Sequence, residues 1–143
     1  IRDKFPISDL KLAGIDVNET AIATAKRYLP AINYQVASVV EIPFETKSFD
    51  VVLSDACLMY VAPKEIKNVV KEMNRVAKRG IILVEWYDEK SINGVVKDNH
   101  WCRNYEKLLK PLGYKVEKIK ITNELWPNDN WTKHGVVFIA QRA

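Results

Sequence analysis

Leu10-Lys11-Leu12-Ala13-Gly14-Ile15-Asp16-Val17-Asn18 is an apolar run closed by an acid and followed by a helix-opening asparagine. The run predicts a buried parallel strand over residues 10–16, with Asp16 at its carboxyl end. Open α/β sheets bind ligands outside that end, and a lone carboxylate there can accept hydrogen bonds from both hydroxyls of a ribose. Asp also suits the turn between a strand and a helix. The rest of the chain has to separate these two readings.

Working outward, Ile1 to Phe5 reads as the tail of a helix stopped by Pro6. Downstream, Asn18-Glu19-Thr20 caps a helix carried to about Leu29 by Ala21, Ile22, Ala25 and Leu29 on one face, with Pro30 as the stop. Ile32–Ser38 alternates as a short strand, and Glu41-Ile42-Pro43-Phe44 is a loop. Ser48-Phe49-Asp50 leads into Val51-Val52-Leu53-Ser54, a continuous apolar run that predicts a fully buried strand. A short apolar connection, 55–61, follows. Ala62-Pro63 then opens a helix kept in period by Ile66, Val69, Val70, Met73 and Val76 through Lys78, with Arg79-Gly80 as its end.

Ile81–Glu85 is another buried strand. Asp88–Asn99 is polar and reads as a loop or lid. From His100 to Leu112 the spacing of Trp101, Tyr105, Leu108 and Leu109 predicts a helix, closed by Pro111 and terminated by Gly113. Tyr114–Ile121 and Gly135–Gln141 are strands, separated by a polar loop, 122–133, that carries Trp126 and Trp131. With no helix between them, the two strands should pair antiparallel. The pattern predicts an α/β fold: a doubly wound Rossmann-like sheet, mostly parallel, with an antiparallel C-terminal hairpin strand, in one domain over residues 1–143.

Composition narrows the partners. The 143 residues are 48% hydrophobic, enough for one globular core. Lys and Arg number 22 against 18 Asp and Glu, a net charge of +4 spread along the chain. A nucleic-acid partner is possible but not indicated: Lys115, Lys118 and Lys120 form no stripe with interleaved aromatics, so no nucleic-acid surface is claimed. The two cysteines are too few for a disulfide framework or a zinc site, and no metal cluster is expected. Their sparseness fits a reducing compartment, hence a cytoplasmic location. No apolar run is long enough to cross a membrane and no signal peptide is visible.

Five places resemble class I S-adenosylmethionine-dependent methyltransferases. Gly14-Ile15-Asp16 resembles that family's second strand and ribose-binding acid. Ala37-Ser38-Val39 with Ile42-Pro43-Phe44 resembles its adenine-pocket segment. Phe49-Asp50-Val51-Val52-Leu53-Ser54 resembles its fourth strand, and Met73-Asn74-Arg75-Val76-Ala77-Lys78-Arg79-Gly80 the helix end and turn before its fifth. The closing hairpin resembles its sixth and seventh strands. The resemblance covers nearly the whole chain. It implies methyl transfer from S-adenosylmethionine to a small-molecule acceptor by in-line displacement. The sulfonium methyl is already activated, so the protein's work is to align the reactants and exclude water. The family's first strand and its glycine-rich loop, commonly G-x-G-x-G, are absent from these residues. The resemblance places that strand between the second and fourth, upstream of Ile1, and the expectation is that further residues precede Ile1.

Residue by residue, the resemblance assigns Asp16 to the ribose and Val17 to a contact with adenine or ribose. It assigns the Ser38 hydroxyl and the Val39 backbone N–H to the adenine, and Ser54 to the methionine side. Ser38 stands where the family often carries an acid, and a hydroxyl accepts more weakly. Each has a structural alternative: a turn-forming Asp16, a packed Val17, an ordinary turn at Ser38-Val39, a capping pair at Ser54-Asp55. Ser54-Asp55-Ala56-Cys57 differs from the D/N/S-P-P-Y/F motif of enzymes that methylate nucleic-acid amino groups. His100 and His134 are the only histidines, and either can be a general base. His100, placed after the expected lid, is the expected catalytic residue. Glu85, Trp86 and Tyr87 either border the substrate or cover the sheet end. Trp126 and Trp131 form a substrate wall, an interface or a clamp over the core, and Tyr60 is expected to pack. Two other functions stay open: a non-catalytic methyltransferase-like binding or scaffold module, and an NAD-dependent oxidoreductase, which also places an acid after its second strand.

Overall fold

A computed structural model describes residues 10–142. The helix tail read at Ile1 to Phe5 lies outside the described residues. The chain forms two compact units, one ending at Pro43 and the other beginning at Phe44.

The first unit is a strand–helix–strand crossover: β1 (Ala13–Asp16), α1 (Glu19–Tyr28) and β2 (Asn33–Val36). The strands are parallel, with Gly14 opposite Tyr34 and Asp16 opposite Val36. α1 begins where the sequence predicts, because the Asn18 side chain accepts from the N–H groups of Thr20 and Ala21 at 2.9 and 3.2 Å. Both strands are shorter than expected. Each exists only where it has a ladder partner, and the ladder covers four residues of each.

The second unit holds β3 (Phe49–Asp55), a single 3₁₀ turn at Leu58–Tyr60, α2 (Ile66–Val76) and β4 (Ala77–Trp86). β5 (Val95–Lys97), β6 (His100–Cys102), α3 (Tyr105–Leu109), β7 (Tyr114–Lys120), α4 (Asp129–His134) and β8 (Gly135–Arg142) follow. Four strands form one sheet in the order β3-β4-β8-β7. β3 and β4 are parallel, and β8 runs antiparallel to both β4 and β7. β3, β4 and β7 therefore point one way with β8 reversed, the mostly parallel α/β sheet with an antiparallel C-terminal strand that the pattern predicts. The core is the predicted apolar face of α2 together with Ile81, Leu83, Leu109 and Phe138, each at most 2% exposed.

Four expectations change. α2 ends at Val76, and Lys78 to Gly80 belong to β4. The helix stops where Lys47 Nζ takes the carbonyls of Asn74 and Ala77 at 3.2 and 2.7 Å. Gly80 serves close packing instead: a Cβ on it would lie 2.9 Å from the Ala140 carbonyl oxygen of β8. β3 is not fully buried, since Val51 and Leu53 are 49% and 59% exposed; among the described residues it has a partner on one edge only.

The expected loop and helix around His100 are instead a hairpin, β5–β6, with Val95 opposite Cys102 and Lys97 opposite His100. Its two-residue turn, Asp98-Asn99, has φ of +45° and +63°, the signature of a type I′ connection. Trp101 is a strand residue, and the helix starts only after Asn104, whose side chain caps it through Lys107 N–H at 3.1 Å. Finally, the expected 122–133 loop contains α4, capped by the Asn128 side chain on the N–H groups of Asn130 and Trp131.

Gly80→Val should destabilise the second unit by about 1–3 kcal/mol, because backbone stands where the side chain must go. The check is the urea midpoint, which should fall without a change in slope.

Candidate functional site

In the first unit the carboxyl ends of β1 and β2 lie side by side, tied by Ala37 N–H to the Asp16 carbonyl at 3.0 Å. Asp16 is exposed. Its Oδ1 accepts from Asn18 N–H at 2.8 Å, which is the turn role. Among the described residues no hydrogen bond reaches Oδ2. Val17 beside it is 70% exposed, so it does not pack. Ser38, at the end of the neighbouring strand, is exposed and its Oγ accepts from Val40 N–H at 3.2 Å. Val39 is half-buried next to it. The unit thus gathers Asp16, Val17, Ser38 and Val39 at one end. An acceptor-only carboxylate with an oxygen to spare, an open apolar face and a hydroxyl are a set that fits the sugar and base of an adenosine.

Ser54 behaves differently. It is buried, and its hydroxyl donates to Glu85 Oε1 at 2.8 Å instead of facing a ligand. Glu85 is fully buried and also accepts from the backbone N–H groups of Cys57, Leu58 and Met59 at 3.1, 2.9 and 3.1 Å. Burial pushes its carboxyl above the ordinary range, while the four donors pull the other way. Glu85 therefore neither borders a substrate nor merely covers the sheet end: it holds the start of the 3₁₀ turn after β3. The other end of that turn is held by Arg103, also fully buried, which donates to the carbonyls of Leu58, at 2.7 Å, and of Val61. Its Nε donates to the Asn93 carbonyl at 2.9 Å.

The clamped turn presents Tyr60 outward. It is 69% exposed and is not packed into the core as expected; its ring meets His100 edge-on at 5.0 Å between centroids. His100, at the tip of the β5–β6 hairpin, meets it: Nε2 lies 3.1 Å from the Tyr60 hydroxyl, and Nδ1 lies 2.6 Å from the Asp98 carbonyl. The His100 ring also tilts against buried Trp86 at 4.7 Å between centroids. On Trp86 converge His134 at 5.2 Å and Trp131 at 6.2 Å, and Trp131 stacks on Trp126 at 5.1 Å. His134 Nε2 lies 3.9 Å from Asp98 Oδ2. Burial lowers the His134 pKa below its ordinary 6.5, with Lys97 and Lys133 adding to the effect and Asp98 opposing it.

Both histidines thus belong to one aromatic cluster around Trp86. The sequence reading missed Arg103, Asp98 and the inward role of Glu85. One signal could have placed His100: two turn-favouring residues, Asp98-Asn99, between short apolar runs mark a hairpin. Among the described residues no group of three or more His, Cys, Asp and Glu could hold a metal ion. No described helix is long and apolar enough to cross a membrane.

A family model described as a methyltransferase domain matches residues 5–84. An uncharacterized protein of Haemophilus influenzae is 33% identical over 79 residues, which are 50% of this chain and 32% of that protein. The match therefore spans about a third of the relative's length. Among solved structures, the PH0226 protein of Pyrococcus horikoshii aligns over 95% of this chain and 73% of its own, with TM-score 0.70 and 21% identity. A SAM-dependent methyltransferase of Methanosarcina mazei aligns over 91% and 81%, with TM-score 0.64 and 20% identity. At such identities the likeness is one of fold.

Two outcomes follow from the geometry. Glu85→Gln puts an amide nitrogen where a carboxylate oxygen accepts from an N–H, and should cost about 1–3 kcal/mol in urea unfolding; an unchanged midpoint would contradict the clamp. For His134, a folded pKa below the unfolded one stabilises fully above pH ~6.5, and the stability is lost as pH falls toward the folded value. His134→Gln should therefore shrink the difference in unfolding free energy between about pH 7.5 and about pH 5.5.

Proposed function

The chain belongs to the methyltransferase-domain family, and from that premise we propose that it transfers a methyl group from S-adenosylmethionine to a small-molecule acceptor. The observation that carries the cofactor reading is the exposed strand-end carboxylate of Asp16, with Oδ2 clear of any described hydrogen bond. In this proposal Asp16 holds the ribose, and Val17 offers its exposed side chain to the adenosine. Ser38 Oγ and Val39 N–H border the adenine. Ser54 commits its hydroxyl to Glu85, and no ligand contact is proposed for it.

The donor brings a methyl group made electrophilic by its sulfonium. The protein's part is to fix geometry and keep water out. His100 is proposed as the base for an acceptor that must lose a proton. A small acceptor fits the aromatic, weakly charged surroundings of Tyr60 and His100. A cytoplasmic location is proposed on the sparseness of cysteine, two in 143 residues.

Calorimetric titration of the full-length protein with S-adenosylmethionine and, separately, with NAD tests this. Binding of the first and not the second is expected. Asp16→Ala should weaken binding about ten- to hundredfold, the worth of hydrogen bonds to a charged group at ~1.5–3 kcal/mol. Binding of NAD instead would make the chain an oxidoreductase, and binding of neither would leave a scaffold module.

A further inference from the structure

We propose that the tip of the β5–β6 hairpin, residues 96–101, is a pH-gated flap over Trp86: neutral His134 seats it, and protonation of His134 releases it and uncovers the aromatic cluster. The flap lies wholly within the second unit and does not rest on the methyl-transfer reading.

The hairpin is fastened firmly at its base. Arg103 N–H donates to the Trp86 carbonyl and Asp88 N–H to the Arg103 carbonyl, both at 3.2 Å. Arg103 Nε adds the Asn93 carbonyl at 2.9 Å, and Asn104 N–H adds the Ser91 carbonyl at 2.7 Å. Gly94, at a φ of +112° that suits glycine, stands where this base meets the ribbon. Beyond it each strand is three residues long, and so short a ribbon has little stability of its own. Its tip is seated by side chains. His100 lies on the Trp86 ring at 4.7 Å and meets the Tyr60 hydroxyl at 3.1 Å, and Asp98 Oδ2 stands 3.9 Å from His134 Nε2. Val96 is 58% exposed and buries little.

The charge on His134 decides the seating. Its side chain is 9% exposed. From β4 it meets the Trp86 ring, at 5.2 Å, which it shares with His100. The hairpin brings Asp98 and Lys97, the latter paired with Asp88 Oδ2 at 3.3 Å, and α4 brings Lys133. A proton on the closed ring is therefore stripped of water and flanked by two ammonium groups. The carboxylate it faces is more than half exposed and beyond hydrogen-bond reach. Burial and the two lysines hold the His134 pKa below 6.5. The closed flap is then fully stable above about pH 6.5 and loses stability as pH falls toward the lower, closed-state value. Swinging the tip away admits water and removes Lys97. It also removes Asp98, but an exposed pair contributes little. His100 is no such switch, because it has a partner for a proton at each nitrogen: the Asp98 carbonyl at Nδ1 and the Tyr60 oxygen at Nε2.

The Trp86 indole hydrogen reads the flap directly. Trp86 Nε1 is buried and has no hydrogen-bond partner among the described residues, so its hydrogen exchanges with water when its cover moves. In full-length protein carrying ¹⁵N-tryptophan, the Trp86 indole signal is assigned by elimination with Trp101→Phe, Trp126→Phe and Trp131→Phe. Its exchange rate, divided by that of free tryptophan at the same pH, should rise several-fold from about pH 7.5 to about pH 5.5. No rise overturns the flap. At both pH values this ratio should exceed the corresponding one for the backbone amides of β4. Equal ratios would mean that the ring is reached through unfolding of the whole unit, which also overturns the flap. His134→Gln should abolish the rise, and a rise that survives it overturns the switch. Asp98→Asn, which a positive-φ turn position accepts, removes the opposing carboxylate and should steepen the rise. A rise unchanged or shallower in that variant overturns the switch even where His134→Gln does not fold.

Discussion

A single carboxylate, sealed from solvent near the end of β4, decides the shape of the second unit's functional end. Taking a carboxyl group out of water is costly unless its lone pairs are met. Glu85 meets that condition with one hydroxyl and three consecutive backbone N–H groups. Those N–H groups are the ones that a turn leaves without partners at its start. Arg103 does the reciprocal work at the far end, on carbonyls. Glu85 and Arg103 are thus joined through the backbone they satisfy. Leu58 and Met59 are drawn inward by this arrangement, to 0% and 3% exposure, and Tyr60 is turned out.

The same arginine fastens the hairpin that carries His100. Its backbone N–H donates to the Trp86 carbonyl, and its own carbonyl accepts from Asp88 N–H, both at 3.2 Å. The strand that carries His100 is therefore registered against the end of β4. A histidine at a hairpin tip and a tyrosine on a connecting turn would ordinarily be mobile, being loop residues. Here Tyr60 follows directly on Met59, whose N–H is held by Glu85, and His100 stands three residues before Arg103, so two loop side chains far apart in sequence hold a 3.1 Å contact.

What the sequence made legible follows from how local each signal is. α1 is written in its own residues, by the Asn18 cap and the apolar face ending before Pro30. The antiparallel β7–β8 pair was expected because no helix was read between the strands; the pairing is as expected, although the connection does contain the short α4. The strand-end position of Asp16 also follows from local pattern. The hairpin at residues 95–102 was hidden because Trp101 falls, by coincidence, at helical spacing from Tyr105 and Leu108. Gly80 looked like a helix terminator because its actual neighbour, Ala140, is distant in sequence. The roles of Glu85, Arg103 and Tyr60 depend wholly on such distant neighbours, and their residue types alone say only charged or aromatic.

Ser54 marks the boundary between the two kinds of inference. Its place at the end of a strand suggested a ligand contact, as position did, with better support, for Asp16. Yet a strand alternates, and the residues on either side of Ser54 settle its direction. Leu53 and Asp55 face outward and are exposed, so Ser54 must face the other way, toward Glu85 on the paired strand. That parity was not legible in the sequence, where the continuous apolar run reads as buried on both faces; it shows in the exposure of Val51 and Leu53. Nor was the partner legible that makes an inward serine useful, since it is supplied by a residue 31 positions later. Strand ends therefore nominate candidate residues, and the alternation along the strand decides which of them can meet a ligand and which hold the structure that does.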